Sequence, residues 1–465
     1  MTRLIKNMVS DVGRLTRFSE PVAHRICFLR GAREGILDIL SLRTAPSRQF
    51  LWVYTNIMST KDLVKELKSK EIPAEQSQLF KNIVEVKIIP RLIPTDKGLI
   101  VNEEVEGAEK LSEEYIQKNN LKMVTVRRDA AIATAMGKDV VSTDIVEGSG
   151  INPGDEVVVI DKYKTVVGVG IAQMSEEEAK RSPGRIAIKI RYSLYDVPDY
   201  TGLKAYRRGA FSVMSLPRIL AIQALLAHQH KETPNVLIEA QDTGDVAAAI
   251  YHSLKGEGEY LILARNDGHA SLIRDSMKRL NLGENVKVIK DEIEKLAKRR
   301  RRQAEKFNYV FFEPVNSRTG ERPSFFSEIE EKTIISYHRS QFQSLRSLNV
   351  LTKVDTPIVY MTHSLDPTEN QEVISLGLKQ GSFELSNDRK YLKMTNDFPS
   401  DIDIMPDIPT STQADSAKIT EILQTPSYKD RWIEVRSLRD DADAGFICVL
   451  INKLKRREST SLRRR

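Results

Sequence analysis

Two short segments of the sequence place acidic, carboxamide and imidazole side chains directly after apolar stretches. The segment EPVNSRTGERP (313–323) follows YVFF, and the segment MTHSLDPTENQEV (361–373) contains the end of TPIVYMT. Both put small polar residues, a proline and an acid where a strand is predicted to end. His363 has a side chain that can act as a general base, Glu313 is an acid, and Asn316 offers a hydrogen-bonding carboxamide. These residue types indicate acid–base or binding chemistry.

The elements that must position these residues form one alternating region. Continuous apolar strands are predicted at 235–240, 260–265, 286–290, 309–314 and 356–362, with helices such as 269–281 and 328–347 between them. Buried strands that alternate with helices predict a doubly wound α/β fold with a parallel sheet. Ligands bind such sheets beyond the carboxyl ends of the strands, so the residues just after each strand are the candidates for function.

Candidate cofactor-binding residues follow the first three strands of this sheet. Asp242 and Gly244 come after the first, Asp267 after the second and Asp291 after the third. In an enzyme that binds S-adenosylmethionine, glycines let the backbone approach the cofactor and an acid holds the ribose hydroxyls. Asp291 has the position to contact an adenine amino group. Local structure explains the same residues equally well: a capped helix start with one turn glycine, an N-cap at Asp267 and a cap for helix 292–304.

Two smaller units are predicted before this sheet. The first, residues 1–110, is an α+β module with strands at 50–57 and 83–89 and a helix capped by Ser59. The second, residues 111–192, has short β-branched strands separated by turn residues, a pattern typical of a small β-barrel. The region with the predicted parallel sheet then covers 205–453, and the basic tail covers 454–465.

Length and composition exclude several classes of protein. A chain of 465 residues with 40% hydrophobic and 29% charged content predicts a globular protein of two or three domains. It has neither the uninterrupted apolar run of a membrane span nor a secretion signal, so we expect a cytoplasmic location without membrane contact. Two cysteines, Cys27 and Cys448, are too few for a disulfide framework or a multi-cysteine metal site, and no metal is expected.

Positive charge is concentrated in two runs. The net charge is +7. The residues predicted to contact RNA phosphates are Lys298, Arg299, Arg300, Arg301, Arg302, Lys455, Arg456, Arg457, Arg463, Arg464 and Arg465. The alternative for these runs is a solvated tail and a basic helix end that complements the helix dipole.

Several motifs, in order along the chain, resemble those of one family. They are WVYTNIMSTKDLVKEL (52–67), INPGDEVVVI and VVGVGIAQMS within 123–192, YRRGAFSVMSLPRILAIQAL (206–225), FFEPVNSRTGERP (311–323), IVYMTHSLDPTENQEVI (358–374) and RDDADAGFICVLINK (439–453). Together they resemble the NOP/Sun family of RNA cytosine-5 methyltransferases, in the subfamily with an inserted PUA (pseudouridine synthase and archaeosine transglycosylase) domain. The resemblance implies a Rossmann-like methyltransferase fold that binds S-adenosylmethionine, with a PUA barrel.

The reactive residues of that family are replaced here. The cysteine of its TCS motif, which adds to carbon 6 of cytosine, corresponds to His363, and the cysteine of its PCS motif, which assists product release, corresponds to Asn316. The family's catalytic aspartate corresponds to Glu313. Its cofactor loop CAAPGGKT reads AQDTGDVA (240–247). No catalytic residue is therefore expected, and no cofactor.

Three functions are compatible with this pattern. The first is a catalytically inactive RNA-binding protein acting on tRNA, ribosomal RNA or a ribonucleoprotein, without affinity for DNA. The alternative is an active S-adenosylmethionine-dependent RNA methyltransferase, of 5-methylcytosine or of changed specificity, with His363 as base and Asn316 as hydrogen-bond partner. The third is a scaffold that binds protein. We favour the first because both family cysteines are missing.

Overall fold

A large mixed sheet forms the centre of the molecule, seen here in a computed structural model. The structure describes residues 18–78, 80–95, 98–148, 150–228, 232–300, 306–324, 329–391, 431–437 and 439–453. The strands of the large sheet are β1 (Asn235–Glu239), β2 (Glu259–Ala264), β3 (Val286–Lys290), β4 (Tyr309–Phe312), β5 (Pro357–Thr362), β6 (Phe383–Leu385), β7 (Trp432–Val435) and β8 (Gly445–Asn452).

The strand order of this sheet is β3-β2-β1-β4-β5-β8-β6, and β7 also pairs with β8. Strands β1 to β5 are parallel to their neighbours, whereas β8 runs antiparallel to β5. The carboxyl ends of β1 to β5 therefore meet at one edge, as the alternating pattern predicted. All five predicted strands are confirmed, with ends that differ by one or two residues.

Helices cover both faces of the sheet because its strands are apolar on both sides. In β4, Phe311 packs in the cluster on one face and Phe312 in the cluster on the other, and both are fully buried. The first face is covered by helices Leu216–Ala227, Asp245–Ser253 and Asp267–Arg279. The second is covered by helices Ile293–Arg300, Glu331–Leu351 and Gln371–Lys379.

The described part of the N-terminal module contains a four-stranded antiparallel sheet and three helices. Its strands, in spatial order, are Phe211–Met214, Arg48–Val53, Ile83–Lys87 and Ala74–Gln76. The helices are Glu20–Arg30, Ala32–Ser41 and Thr60–Lys68, and the last is capped by Ser59 as predicted, through an N–H···O bond from Asp62. The strand predicted over 50–57 ends at Val53, since residues 55–57 form a turn. Strand Phe211–Met214 reaches this sheet from beyond the barrel-like unit, which is thus inserted into the module.

The inserted unit is a bent six-stranded sheet. Its spatial order is Val140–Val141, Ile186–Ser193, Val166–Ala172, Glu156–Ile160, Lys122–Val126 and Ile145–Glu147. Irregular pairing at several points, including the one between Val169 and Gly170, bends the strands around a core of valine and isoleucine. The glycines inside strand Val166–Ala172 allow this, since a Cβ on Gly170 would lie 2.5 Å from the carbonyl of Lys189. The predicted small barrel is confirmed as a barrel-like fold.

The remaining regular elements are short. They are helices Glu113–Lys118, Arg128–Ala135, Glu176–Arg181 and Lys204–Arg207, the 3₁₀ turns Ala108–Leu111, Ser142–Asp144 and Pro367–Glu369, and strands Ile89–Pro90, Leu92–Thr95, Gly98–Val101 and Tyr195–Asp196. None of the helices in the described ranges is long and apolar enough to cross a membrane.

Replacing Phe311 by alanine tests the importance of the two-sided core. Phe311 is fully buried in the central strand β4, so we expect the Phe311→Ala variant to lose about 3–5 kcal/mol of unfolding free energy, measured by urea denaturation. The matched control is Leu272→Ala, because Leu272 lies on a helix of the same face but is 56% exposed. The control should change stability by no more than about 0.5 kcal/mol. Equal losses in both variants would contradict this packing.

Candidate functional site

A buried ion pair lies at the carboxyl edge of the sheet. Glu313 follows β4, and Arg218 lies in the first turn of helix Leu216–Ala227, where Pro217 fixes the start of the helix. The Arg218 guanidinium donates to both carboxylate oxygens of Glu313, from Nη2 at 2.8 Å and from Nε at 3.0 Å. The backbone N–H of Gln241, in the loop after β1, donates to the same carboxylate at 3.2 Å. One carboxylate thus joins a helix and two strand ends.

The two charges of this buried pair stabilise each other. Burial opposes the positive charge of Arg218, but the charges of Glu313 and Asp242 outweigh that effect and raise the pKa of Arg218 above its usual value. Glu313 is fully buried, so its charge has no access to water. Removing one partner of such a pair leaves an uncompensated buried charge, which typically costs about 3–5 kcal/mol.

His363, at the end of β5, is held beside this pair as a neutral imidazole. It is 1% exposed, and its Nε2 lies 3.3 Å from the hydroxyl of Ser215 and 3.9 Å from Glu313 Oε1. Its Nδ1 faces the carbonyl of Ala444 at 3.4 Å, so Nδ1 carries the hydrogen. Burial, together with a smaller effect of the nearby charge of Arg218, lowers the pKa of His363 to about 3. The ring is therefore uncharged at neutral pH.

A base with so low a pKa has little tendency to accept a proton near pH 7. Effective general bases have a pKa near the working pH, since that combines the free form with a useful driving force. His363 is also buried away from solvent, and Glu313 is occupied by Arg218. The arrangement that the alternative enzyme hypothesis needs, with His363 as base, is poorly matched by this environment.

The Asn316 side chain forms hydrogen bonds with the backbone of its own loop. Its side-chain Nδ2 donates to the carbonyl of Pro314 at 2.9 Å, and its Oδ1 accepts from the backbone N–H of Arg318 at 3.0 Å. Arg318 has a φ of +52°, a conformation that the Asn316 carboxamide supports from the side. The structure thus brings Glu313 and His363 together, whereas the hydrogen bonds of Asn316 stabilise the turn after β4.

A second buried carboxyl, Glu369, ties the loops after β4 and β5 to each other. It accepts hydrogen bonds from the Ser317 N–H at 2.9 Å, the Ser364 hydroxyl at 2.7 Å and Gln341 Nε2 at 3.0 Å. The Ser317 hydroxyl is a further donor. Burial raises the pKa of Glu369 to about 7, although these hydrogen bonds lower it in part. Ser317 and Ser364 each follow a position of interest, Asn316 and His363.

The loop after β1 is held by hydrogen bonds to its own backbone and to neighbouring residues of the chain. The Asp242 carboxylate accepts from the backbone N–H groups of Gly244 at 3.0 Å and Val246 at 2.6 Å, which are the amides at the start of helix Asp245–Ser253. The side chain of Gln241 donates to the carbonyl of Glu313 at 3.0 Å, and His269 Nε2 lies 2.6 Å from the carbonyl of Asp242. Hydrogen-bonding groups that face a cofactor in this kind of fold are here satisfied by the chain itself.

The other two candidate cofactor residues lie apart from this cluster. Asp267 has an 85% exposed side chain that pairs with Lys290 at 2.7 Å. Its predicted role as an N-cap is wrong: the helix begins at Asp267 itself, and the cap is Asn266, whose Oδ1 accepts from the His269 N–H. Asparagine reaches this amide from one position earlier. Asp291 pairs with Arg299.

The basic run near residue 300 falls partly within the described chain. Lys298 is exposed at the end of helix Ile293–Arg300. Arg299 forms the ion pair with Asp291, and the Arg300 guanidinium lies 5.4 Å from the centre of the Phe307 ring. Arg301, Arg302 and the tail residues Lys455, Arg456, Arg457, Arg463, Arg464 and Arg465 lie outside the described residues.

Two residues that shape the site were not identified from the sequence. Arg218 lies in the segment SLPR, where a long cation at the start of an apolar helix is the signal that a carboxylate partner is near. Glu369 lies in the segment DPTENQEV (366–373), which has several acids, and nothing in the sequence indicates which of them is buried. Within the described ranges, no three His, Cys, Asp or Glu side chains are grouped as ligands for a metal ion.

The neutral state of His363 predicts a pH effect on stability. Its pKa is about 3 in the folded chain and about 6.5 when unfolded, so between these values the unfolded chain binds more protons. Stability should fall by up to about 1.4 kcal/mol for each pH unit below about 6. Glu369, with a raised pKa, acts in the opposite direction between about pH 4.5 and 7. The His363 contribution is therefore isolated by comparing wild type with His363→Gln.

Urea denaturation of both proteins at pH 7.5, 6.0 and 5.0 makes this comparison. Wild type should lose more stability than His363→Gln on acidification, because glutamine does not titrate. Parallel losses in the two proteins would show that His363 has an ordinary pKa.

Comparison with known proteins agrees with this architecture. Residues 122–194 match the PUA domain family. The structure is similar to "NSun6 from Pyrococcus horikoshii with SFG" (TM-score 0.67, 17% identity, covering 96% of this chain and 98% of that one). It is also similar to a "Methyltransferase Homolog Protein" of the same organism (TM-score 0.53, 12% identity, 98% and 100% covered).

A sequence relative is the tRNA (cytosine(72)-C(5))-methyltransferase of Pyrococcus horikoshii, which is 24% identical over 269 residues. The alignment covers 56% of this chain, and the chain spans just under two thirds, 65%, of the relative's length. This chain therefore combines the α/β fold of the S-adenosylmethionine-dependent methyltransferases with a PUA domain, and it is a homologue of a tRNA cytosine-5 methyltransferase.

Proposed function

We propose that this chain is a member of the NOP/Sun family that binds RNA without transferring a methyl group. The observation that carries the proposal is that buried side chains already pair with one another at the carboxyl edge of the sheet. At the place where the family has its reacting groups, Arg218 and Glu313 pair with each other, and His363 is hydrogen-bonded to Ser215 and to the carbonyl of Ala444. A site whose polar groups are paired internally has no group left to attack a base.

The missing chemistry is that of a thiolate. Methylation of cytosine carbon 5 in this family requires a nucleophile that adds to carbon 6, and thiolate is strongly nucleophilic near neutral pH. Cys448 is fully buried in β8, and burial raises the pKa of its thiol, so the thiolate does not form. Cys27 is buried in the N-terminal module. Neither cysteine replaces the family's nucleophile.

The loop after β1 supports the same proposal for the cofactor. Asp242 accepts the hydrogen bonds of the Gly244 and Val246 amides, so these N–H groups are not available to a bound S-adenosylmethionine. Asp267 and Asp291, the candidates for the ribose and the adenine, are paired with Lys290 and Arg299. These residues do not fit the cofactor, and we infer that the chain does not bind it.

RNA binding is supported by the PUA domain and by the relative that acts on tRNA. On strand Ile186–Ser193 of the PUA domain, Lys189 and Arg191 are both exposed. Exposed cations suit contacts with RNA phosphates. The proposed partner is therefore an RNA, with tRNA the first to test because the relative's name specifies tRNA. The cytoplasmic location stays a prediction.

The competing function is an active S-adenosylmethionine-dependent methyltransferase. The similarity to a tRNA cytosine-5 methyltransferase favours it. The neutral, buried His363 and the occupied carboxylate of Glu313 argue against it. The two functions differ in whether the cofactor binds, which is directly measurable.

Calorimetric titration with S-adenosylmethionine should show no saturable heat. Incubation with methyl-labelled cofactor and tRNA should leave the RNA unlabelled. The same preparation must bind tRNA, which controls for correct folding. Stoichiometric cofactor binding, together with methyl transfer that stops in a His363→Ala variant, would establish the alternative function.

Removal of the basic tail should weaken the dependence of RNA binding on salt. Residues 454–465 contain six lysines and arginines, and each phosphate contact contributes about 0.7–0.9 to the slope of log affinity against log salt. We expect a shallower slope for the truncated protein in fluorescence anisotropy with tRNA. A tail of the same length with serine at the six basic positions separates charge from length. A slope unchanged in both variants would show that the tail only contacts solvent.

A further inference from the structure

An open polar groove of about 640 Å³ lies between the N-terminal module and the methyltransferase-like domain. Its lining consists of Asn56, Ile57, Arg208, Tyr251, His252, Lys255 and Asn281. Helix Asp245–Ser253 starts at the carboxyl edge of the sheet and runs back along it, so its end, with Tyr251 and Lys255, lies toward the opposite edge. The groove is thus separate from the cluster around Glu313.

The charge of the groove is positive. Arg208 and Lys255 are exposed, and in the part of the chain that the structure describes neither forms an ion pair. None of the lining residues is acidic. Two helix ends lie here and bring negative partial charges of about half a unit each. The two full positive charges outweigh them, so the groove favours an anion.

The carboxamides of the groove are fixed in orientation. Asn56 Nδ2 lies 3.1 Å from His252 Nδ1, and His252 Nε2 lies 2.8 Å from the carbonyl of Leu280, which makes Nδ1 the acceptor. Asn281 Nδ2 donates to the carbonyl of Arg208 at 2.8 Å. With both amide nitrogens used in the wall, the Oδ1 atoms of Asn56 and Asn281 remain as acceptors for a ligand.

Backbone geometry makes this wall rigid. Gly209 has a φ of +64°, and a Cβ there would lie 1.9 Å from the carbonyl of Arg279, so only glycine allows Arg208 to approach Asn281 so closely. The Tyr251 ring lies against Gly256 and Gly283 in the same way, with 2.8 and 2.7 Å to their ideal Cβ positions. The groove is therefore preformed, which lowers the entropic cost of binding.

We propose that this groove binds a segment of single-stranded RNA, with Arg208 and Lys255 on phosphates and the two carboxamide oxygens on base amino groups. A nucleotide has both kinds of group: phosphate anions and exocyclic amines that donate hydrogen bonds. The groove is open to solvent, which lets a strand enter and leave it, whereas a free nucleotide would favour an enclosed pocket. The inference rests on the proposed RNA binding and adds a second contact surface for it.

The double variant Arg208→Gln/Lys255→Gln of the full chain tests this site. For single strands each phosphate contact contributes about 0.7 to the salt slope, so the slope of tRNA binding should fall by about 1.4. The matched control is Arg339→Gln/Lys379→Gln, which removes the same charge from exposed positions on the other face of the sheet. The control should keep the wild-type slope.

The outcomes separate this site from RNA binding as such. Loss of slope in the groove variant alone supports the proposal. If wild type binds tRNA and the groove variant has the slope of the control, the groove proposal is wrong while RNA binding stands. If wild type does not bind RNA, the proposed function fails first. Adenosine monophosphate serves as a further probe: saturable binding that is lost in the groove variant and does not compete with tRNA would assign the groove to a free nucleotide and overturn the proposal.

Discussion

The bidentate ion pair of Arg218 and Glu313 is the interaction on which the sheet edge depends. A buried carboxylate requires compensation, and Arg218 supplies it with two hydrogen bonds and an opposite charge. The loop after β1 is then fixed through Gln241, which bonds to both the carboxylate and the backbone of Glu313. Burial is the main cause of the low pKa of His363 beside this pair, and the charge of Arg218 also lowers it. One buried pair thereby links helix Leu216–Ala227 to the loops after β1 and β4.

The loops after β4 and β5 are likewise held by one buried carboxyl, that of Glu369. Glu369 collects hydrogen bonds from Ser317 and Ser364, one on each loop, and from Gln341 on helix Glu331–Leu351. Polar networks of this kind stabilise a structure only when every member is satisfied. Active sites usually retain unsatisfied or strained groups because these react. The buried carboxyls at this edge have the opposite character, because Glu313 and Glu369 each accept several hydrogen bonds, and this fits a scaffold for binding.

Sequence alone predicted most of the fold and part of the site. The features that it predicted have a local signal in the sequence, whereas those that it missed depend on contacts between distant residues. Strands such as β4 are apolar on both faces, so their composition reveals them without knowledge of partners. Helix ends are less certain, since Asn266 and Asp267 both have capping side chains and only geometry chooses between them. The pairing of Arg218 with Glu313 spans 95 residues and leaves no periodic signal. The resemblance located Glu313 and His363. It gave no reason to expect that Glu313 pairs with Arg218 or that burial keeps His363 uncharged.

Perturbed pKa values decide between a reactive site and a structural one only when their direction is considered. Catalysis near neutral pH needs a group whose pKa lies near 7 and which can reach a substrate. His363 is shifted to about 3, away from that range. Glu369 is shifted to about 7, into it, yet Ser317, Ser364 and Gln341 occupy its oxygens and it is fully buried. Binding makes a different demand, for exposed cations such as Lys189, and this chain meets it on surfaces outside the filled site. In the proposed function, RNA recognition therefore uses surfaces that lie apart from the site where this fold commonly performs its chemistry.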